Sequence, residues 1–529
     1  MADISYRIAL DTGDVIVGST VLTEGINSVT AELSDSVIVS ATAEIAMKLG
    51  DGEKIFMNGF QTWTSCPEYD RSSKIRGVRG MPKFLVNKFA MDRYGDYHFY
   101  DYENKRGITH GYSYMYLRNG EDFRFLGSVS ERQGYTIFTY DAEKGILRIK
   151  RDCEGLRFSG SFHAFDLYYR EGNENEVFDG WFAAMDIRPR TQDKIAGYSS
   201  WYNRYQNISA ETILQDLKGC SGVLEQGDLF QIDDGWEPFV GDWLEADSKK
   251  FPDGMAKQAE AIHKAGFRAG LWLAPFVAQK GSATLKDHPD WFIRRDGKPW
   301  CDGCNWGGFY SLDIDNPEVE AYIRETFRKV FDEWHFDLVK LDFLYGAAPF
   351  GSENETRAGR MYRALELLRE CCGDKMILGC GVPVVPAFGL VDYCRVSCDV
   401  GLDWNDVPYM RLIMRERVST RNAIWNDIFR RQLNGRAYLS DPDVFFLRDD
   451  NIKLTEEVKL KLAQVCGVFG GVFLTSDDMS KYTEEKKKTY RELRKLMHAQ
   501  DVKVENADTL RFTYTVDGEK REVTIFDKE

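Results

Sequence analysis

Lys340 and Asp342 lie two residues apart in VKLDFLYG (339–346), a segment that is otherwise apolar. The apolar residues predict a buried strand, where two charges are costly unless each offsets the desolvation of the other. Side chains two apart on a strand point to the same face, so Lys340 should help to keep Asp342 ionised at neutral pH. An ionised carboxylate in a dry pocket is a good nucleophile toward an acetal carbon. The alternative is an ion pair that only stabilises the core.

A second carboxylate, Asp399, ends the segment RVSCD, which also carries Arg395. Two carboxylates at one site, one of them beside a lysine, can have pKa values that differ enough to divide the work of acid and nucleophile. Glycoside hydrolysis uses such a pair, either as nucleophile and general acid/base in a retaining enzyme or more widely spaced around a water in an inverting one. A surface acid or a helix N-cap is the alternative for Asp399.

Hydroxyl-binding groups are indicated by QIDDGWEPFVGDW (231–243). The adjacent Asp233 and Asp234 could each accept hydrogen bonds from hydroxyls, and Trp236, Trp243 and Trp272 offer flat apolar faces to a sugar ring. A place in the core is the alternative for at least one of these tryptophans.

These residues belong to a region in which predicted strands alternate with predicted helices, the pattern of βα units around a parallel sheet. Eight strands are predicted: 197–203, 228–233, 268–276, 337–343, 376–381, 393–399, 437–441 and 471–476. Helices are predicted at 210–218, 254–265, 317–334, 355–372, 415–433 and 453–468. Eight units predict a (β/α)8 TIM barrel, whose chemistry belongs at the carboxyl ends of the strands. The candidate residues lie at those ends.

The rest of the chain predicts two flanking β domains. Short alternating runs separated by turns indicate an antiparallel β domain over residues 1–190, followed by the barrel over 191–478 and a small β unit over 479–529. An insertion between the third and fourth strands, about 278–315, contains an Asp296-Gly297 hairpin signal and should extend over the barrel mouth.

Composition limits the class of protein. The 529 residues are 43% hydrophobic and carry a net charge of −15 with no strongly basic run, so a globular protein without a nucleic-acid partner is expected. The N-terminus lacks a signal-peptide pattern and no apolar run could span a bilayer, which predicts a cytoplasmic protein with no membrane association. Eleven scattered cysteines favour reduced thiols.

Metal and cofactor signatures are weak. Cys301 and Cys304 form a single CxxC without a second pair, and the seven histidines make no HxH or HExxH. No dinucleotide or P-loop motif follows a predicted strand. We therefore expect neither a metal nor a cofactor.

Several segments in this order resemble glycoside hydrolase family 36, which contains α-galactosidases and their relatives: NGFQTWT, QIDDGWEPFVGDW, GLWLAPF, HPDWF, VKLDFLYGA and LGCGVPVVPAFGLVDYCRVSCD. The resemblance covers nearly the whole chain. It implies an N-terminal β-supersandwich, a catalytic (β/α)8 barrel and a C-terminal β unit. It also implies a retaining α-galactosidase-type hydrolase that acts on terminal α-linked galactose of oligosaccharides or glycoconjugates.

The resemblance implies roles residue by residue. Asp342 matches the nucleophile, and Asp399 matches the general acid/base. Asp233 and Asp234 match the pair that binds O4 and O6 of galactose. The other matching pocket positions are Lys340, Arg395, Cys380, Trp201, Trp272 and, from the N-terminal domain, Trp63.

The chain departs from the family pattern near the expected C2 side of the sugar. Val382 stands where a close subset has serine, and SCD replaces a glycine-proline segment before Asp399. An α-N-acetylgalactosaminidase of the same family is therefore the main alternative, and a raffinose-synthase-like transglycosylase is more distant. From other classes, a non-catalytic sugar-binding homologue and a metal-dependent aldolase-type barrel remain as alternatives, the latter without a ligand set in the sequence. Oligomeric state is not predicted.

Overall fold

The computed structural model describes residues 2–78, 80–93, 95–405, 415–506 and 509–525. The predicted (β/α)8 barrel, N-terminal β-sandwich and small C-terminal sheet are all present. Among the helices in the described ranges, none is long and apolar enough to cross a membrane.

The N-terminal region is an antiparallel β-sandwich of eleven strands. The strands are β1 (Asp3–Leu10), β2 (Val15–Val21), β3 (Gly25–Ala46), β4 (Lys54–Met57), β5 (Glu68–Tyr69), β6 (Ile108–Tyr112), β7 (Tyr114–Asn119), β8 (Asp122–Ser128), β9 (Thr136–Asp141), β10 (Ile146–Arg151) and β11 (Arg157–Gly172). Two helices accompany them, α1 (Lys83–Lys88) and α2 (Glu174–Ala184).

The long strand β3 joins the two layers of this sandwich. Its first part pairs with β11 and its second part with β1 and β10. Burial alternates along β3, and the buried phase changes at Asp35, which has φ +43°. Because alternate side chains point to opposite faces, this irregularity lets one strand supply core residues to both layers.

The barrel region contains strands β12 to β25. They are β12 (Ile195–Ser199), β13 (Leu229–Ile232), β14 (Arg268–Leu273), β15 (Val277–Gln279), β16 (Arg294–Arg295), β17 (Lys298–Pro299), β18 (Cys301–Gly303), β19 (Phe309–Ser311), β20 (Leu338–Leu341), β21 (Met376–Gly379), β22 (Tyr393–Arg395), β23 (Leu439–Asp441), β24 (Val444–Phe445) and β25 (Val472–Thr475). Strands β15 to β19 form the predicted insertion.

The other nine strands pair in parallel, in the order β23-β22-β21-β20-β14-β13-β12-β25-β24. β23 and β24 are two halves of one barrel strand, interrupted at Asp443 with φ +75°. The first half pairs with β22 and the second with β25. The Gly471 amide, just before β25, donates to the Ser440 carbonyl at 2.8 Å, which closes the ring of eight predicted strands.

The barrel region also contains helices between its strands. They are α3 (Trp201–Arg204), α4 (Ala210–Cys220), α5 (Gly254–Lys264), α6 (Ala283–Asp287), α7 (Pro317–Arg328), α8 (Arg357–Cys372), α9 (Thr420–Phe429) and α10 (Glu456–Phe469). Asn316 caps α7, accepting from the Glu318 amide at 2.9 Å, with Pro317 in the first turn. The predicted helix 415–433 begins later, because Ser419 is the N-cap of α9. Residues 406–414 lie outside the described ranges.

The predicted turn at Asp296 and Gly297 is confirmed. β16 and β17 form a hairpin around Asp296 and Gly297, both with positive φ, as a two-residue turn requires. At the C-terminus, α11 (Glu484–Arg494) precedes an antiparallel sheet of β26 (Gln500–Asn506), β27 (Leu510–Val516) and β28 (Glu519–Thr524). Asp517 and Gly518 make the turn between β27 and β28.

Candidate active site

The carboxyl ends of the barrel strands surround a cavity of about 280 Å³. Eight of the ten predicted site residues line it: Trp63, Trp201, Asp233, Asp234, Trp272, Lys340, Asp342 and Asp399. The other two, Cys380 and Arg395, are buried and contact members of this set. The structure thus brings together residues from the N-terminal domain and from the ends of six barrel strands.

Asp342 follows the last residue of β20 and is 9% exposed. Its Oδ1 accepts the Phe343 amide at 2.9 Å, and its Oδ2 accepts Nε1 of Trp272 at 3.1 Å. Phe343 has φ +51°, a left-handed conformation that is unfavourable for a bulky residue. This turn ends the strand two residues before the predicted limit and directs the Asp342 carboxyl into the cavity. Strained backbone of this kind is common where a reactive group must be held.

Burial raises the pKa of Asp342, the charge of Lys340 lowers it, and the charge of Asp399 raises it again. The net direction is upward. The predicted influence of Lys340 is therefore present, but it does not exceed the cost of removing the carboxylate from water.

The direct partner of Lys340 is Asp233, which differs from the predicted pairing with Asp342. Nζ of Lys340 lies 2.9 Å from Oδ2 of Asp233, and the two side chains are 8% and 3% exposed. Burial is the largest single influence and lowers the Lys340 pKa, but Asp233, Asp342 and Cys380 raise it, and the net shift is upward, so the lysine stays charged. Asp233 follows β13, two strands away from β20 in the sheet. Lys340 therefore connects the end of β20, which carries Asp342, to the end of β13, which carries Asp233 and Asp234.

Loss of this cation should leave a buried carboxylate without its partner. We expect Lys340→Met to destabilise the fold by about 3–5 kcal/mol. Adding Asp233→Asn should restore a large part of that loss, because the uncompensated charge is then removed. Chemical denaturation of the wild type, both single variants and the double variant gives the coupling energy. Equal losses in Lys340→Met and the double variant would contradict the direct pairing.

Asp399 lies past the end of β22 and is the more open of the two candidate catalytic carboxyls, with 38% of its side chain exposed. Its Oδ1 accepts Nη1 of Arg395 at 2.8 Å. The same guanidinium donates to Asp443 at 2.8 Å and to Asp441 at 3.2 Å. Burial raises the pKa of Asp443 to about 7, against the lowering effect of Arg395. The buried Arg395 guanidinium thus bonds three carboxylates and fixes the position of Asp399 relative to Asp441 and Asp443.

Asp234 lies beside Asp233 at the end of β13 and is 2% exposed. Its Oδ2 accepts Nε2 of Gln206 at 2.9 Å and Nε1 of Trp306 at 2.9 Å. Asp233 accepts from Lys340 and from Gln231. Both carboxyls therefore have fixed orientations where they line the cavity.

Aromatic side chains form the walls. Trp272 and Trp201 line the cavity, whereas Trp236 and Trp243 are 0% and 1% exposed and pack in the core. The structure therefore favours the core alternative for those two. Trp272 lies in β14, directly beside Lys340 in the parallel register.

Trp63 reaches the cavity from the loop after β4. This loop is attached to the barrel through Arg430, which donates to the Thr62 carbonyl at 2.6 Å and the Val396 carbonyl at 2.8 Å. Nε1 of Trp63 lies 3.3 Å from Sγ of Cys380. A Cβ on Gly381, whose φ is +54°, would lie 2.7 Å from the Trp63 ring. A glycine at 381 therefore permits the indole to pack against the strand end.

Six further residues line the cavity that the sequence did not single out: Asn305, Trp306, Phe343, Glu416, Arg417 and Val418. The first two come from the insertion, which extends to the mouth as predicted. The last three precede α9, in a segment that the sequence assigned to a helix. Burial and the charge of Asp96 raise the pKa of Glu416 to about 7. Ser419 is a residue type that favours the N-cap position. Placing the predicted helix after Ser419 would have left residues 415–418 as a loop.

Within the described ranges, no group of three or more His, Cys, Asp or Glu side chains could hold a metal ion. Cys301 is half-buried and Cys304 is exposed. The insertion that carries them reaches the cavity through Asn305 and Trp306.

Comparisons with known proteins point to one family. The melibiase family model matches residues 191–364, the first half of the barrel. An α-galactosidase from Escherichia coli is 29% identical over 183 residues, which are 32% of this chain and 25% of that protein. The α-galactosidase Mel36A from Lactobacillus acidophilus is 32% identical over 122 residues, 22% of this chain and 16% of that protein. The matched segments therefore span no more than a quarter of these relatives.

Solved structures extend the likeness over the whole chain. The α-galactosidase TtGalA from Thermus thermophilus, in complex with p-nitrophenyl α-D-galactopyranoside, has a TM-score of 0.74 and 26% identity and covers 98% of each chain. The α-galactosidase AgaA from Geobacillus stearothermophilus has a TM-score of 0.61 over 97% of this chain and 79% of that one, and at 14% identity it supports the fold alone. The barrel match, the shared three-part fold and the cavity at the strand ends together make this chain similar to α-galactosidases, including those of glycoside hydrolase family 36.

Proposed function

We propose that this protein is a retaining glycoside hydrolase that releases terminal, non-reducing α-linked galactose from oligosaccharides or glycoconjugates. The observation that carries the proposal is the pair of carboxyls in one cavity with opposite surroundings. Asp342 is buried and accepts two N–H donors, whereas Asp399 is partly open and is held by an arginine. Such an asymmetric pair suits a fixed nucleophile and a group that exchanges protons with water.

In the first step, an oxygen of Asp342 attacks C1 of the galactoside. The C1–O bond to the leaving group breaks as Asp399 transfers its proton to the departing oxygen. The product is a galactosyl ester on Asp342 with β configuration. Hydrogen bonds from Trp272 and from the Phe343 amide to the Asp342 carboxylate fix its orientation before attack, which lowers the entropic cost of reaching the transition state.

In the second step, Asp399 is ionised and accepts a proton from a water molecule on the side that the leaving group has vacated. The resulting hydroxide equivalent attacks C1 and breaks the ester bond to Asp342. Two inversions give net retention of configuration. The exposure of Asp399 fits this exchange of protons with solvent.

Substrate recognition is assigned to two carboxyls and two aromatic side chains that line the cavity. Asp233 and Asp234 are placed to accept hydrogen bonds from the sugar hydroxyls at C4 and C6, and Trp272 and Trp201 offer apolar faces to the ring. The T. thermophilus relative has been solved with p-nitrophenyl α-D-galactopyranoside and with stachyose, which supports an α-galactoside for this chain as well.

The structure favours a hydroxyl over an acetamido group at C2. In the family resemblance, the loops after β21 and β22 lie near C2. Here Trp63 packs on Cys380 and Gly381 at the end of β21 and contacts the edge of Phe343, with ring centroids 5.1 Å apart. An acetamido group placed there would compete with the indole for the same space.

A panel of p-nitrophenyl glycosides tests this proposal. We expect turnover of the α-galactoside, and at least about 100-fold lower kcat/KM on the α-N-acetylgalactosaminide, because the added group must displace a packed side chain. The α-glucoside, whose C4 hydroxyl has the opposite orientation, and the β-galactoside serve as controls. Turnover of the N-acetyl substrate without turnover of the α-galactoside would assign the alternative activity. If the folded protein turns over no member of the panel, the non-catalytic sugar-binding alternative is favoured.

A further inference from the structure

Glu237 belongs to the same segment as Asp233 and Asp234 and has no place in the mechanism above. It is 5% exposed and does not line the cavity. Its carboxyl is hydrogen-bonded to the carboxyl of Asp234. Burial and then the charge of Asp234 raise the pKa of Glu237, whereas the bond to Glu237 lowers the pKa of Asp234 against the larger effect of burial. Two acids in contact and shielded from water are an unusual arrangement, because both cannot be ionised without strong repulsion.

No cation compensates this pair within the described part of the chain. Lys340 is bonded to Asp233, which adds negative charge close to Asp234. Lys250 is the other nearby cation, and its Nζ donates to the carbonyls of Gly235 at 2.8 Å and Gln206 at 3.0 Å. The Asp234–Glu237 pair must therefore hold a proton to remain buried.

The hydrogen bonds indicate which member holds it. Oδ2 of Asp234 accepts two N–H donors, from Gln206 and Trp306, both at 2.9 Å. Glu237 accepts a longer bond at Oε2, from the Gly235 amide at 3.3 Å, and its carboxyl also interacts with its own backbone N–H. N–H donors stabilise the ionised form of a carboxyl, so the charge belongs on Asp234 and the proton on Glu237. Oδ1 of Asp234 has no N–H or hydroxyl donor among the described residues, which leaves it an acceptor for such a proton or for a substrate hydroxyl.

We propose that Glu237 is a positioning residue that stays protonated, donates a hydrogen bond to Asp234, and so keeps Asp234 ionised and aimed at a sugar hydroxyl. Galactose binding then depends on the proton of Glu237, which is shared with Asp234 and is not transferred to the substrate. This inference rests on the proposed function, since it concerns how Asp234 recognises the galactose ring. Consistent with it, burial and the neighbouring Asp234 raise the pKa of Glu237 well above its ordinary value.

The pH dependence follows from this arrangement. When the pH rises above the raised pKa of Glu237, the carboxyl loses its proton, the donor disappears, and a second negative charge repels Asp234. Sugar affinity should fall. A glutamine at 237 keeps an N–H donor at every pH and has the same shape, so Glu237→Gln should bind galactose within about threefold of wild type at neutral pH and lack the alkaline loss. Glu237→Ala should weaken binding about ten- to a hundredfold at neutral pH.

Calorimetric titration of galactose into wild type, Glu237→Gln and Glu237→Ala from neutral to alkaline pH tests the inference without any catalytic step, with thermal melting as the folding control. A wild-type affinity that is flat with pH would overturn it even if neither variant folds. An alkaline loss of the same size in Glu237→Gln and wild type would also overturn it. If wild type neither binds galactose nor cleaves any α-galactoside, the proposed function fails. If wild type binds and cleaves but the pH profiles of wild type and Glu237→Gln coincide, only the role of Glu237 fails.

Discussion

Replacing Asp342 with alanine should lower kcat on p-nitrophenyl α-galactoside by at least about 10⁴-fold, because the atom that forms the bond to C1 is removed. KM should change far less, since Asp233, Asp234 and the aromatic walls remain. The melting temperature should stay close to that of wild type or rise, because Asp342 is a buried carboxyl whose pKa burial raises. Steady-state kinetics and thermal melting on the same preparations check both parts.

Azide makes this experiment specific for the nucleophile. The space left by the carboxylate can admit azide, which attacks C1 directly and displaces the leaving group, giving β-galactosyl azide with restored turnover. The matched control is Asp332→Ala, an exposed aspartate just before the same strand, which should keep wild-type kinetics. Activity of Asp342→Ala within tenfold of wild type would end the assignment, and so would rescue that gives the α azide.

Replacing Asp399 with alanine should give a loss that depends on the leaving group. With an oligosaccharide such as raffinose, kcat/KM should fall about 10²–10⁴-fold, because the departing sugar oxygen needs a proton. With 2,4-dinitrophenyl α-galactoside the leaving group needs no proton, so kcat/KM should stay within about tenfold. The second step still lacks its base, so kcat on this substrate should fall and the galactosyl enzyme should accumulate.

Azide distinguishes the two variants. In Asp399→Ala, azide replaces water in the second step and attacks the β-linked intermediate, which gives α-galactosyl azide. Asp399→Asn is the conservative control, because it keeps the size and the contact with Arg395 but cannot transfer a proton, and it should behave like the alanine variant. An equal loss on both substrates would contradict an acid/base role and would instead indicate a general effect on the site.

The barrel could be predicted from the sequence because each strand is a short apolar run between amphipathic helices, and because the motifs at the strand ends resemble a known family. The limits of the strands were less accurate. The predicted strand 337–343 ends at Leu341, and 393–399 ends at Arg395. In both cases the chain leaves the sheet to place a carboxyl, and a local conformation such as that of Phe343 has no signature in the residue type.

Pairings within the site were harder to predict. Lys340 bonds Asp233 rather than Asp342, since the lysine reaches across the end of β14 to a strand two positions away. Sequence spacing gives the face of a strand but not the reach of a side chain across a closed barrel. For the same reason Trp306 was missed: it stands in a left-handed turn of the insertion with φ +52°, and only the folded insertion brings its indole to Asp234.

The assignment of the nucleophile can be tested directly by trapping. A fluorinated galactosyl fluoride that slows hydrolysis of the intermediate should inactivate the enzyme, and proteolysis followed by mass spectrometry should locate the added mass. We expect the label on the peptide that contains VKLDFLYG, attached to Asp342. Inactivation with the label on Asp399, Asp233 or another side chain would contradict the mechanism proposed for this protein.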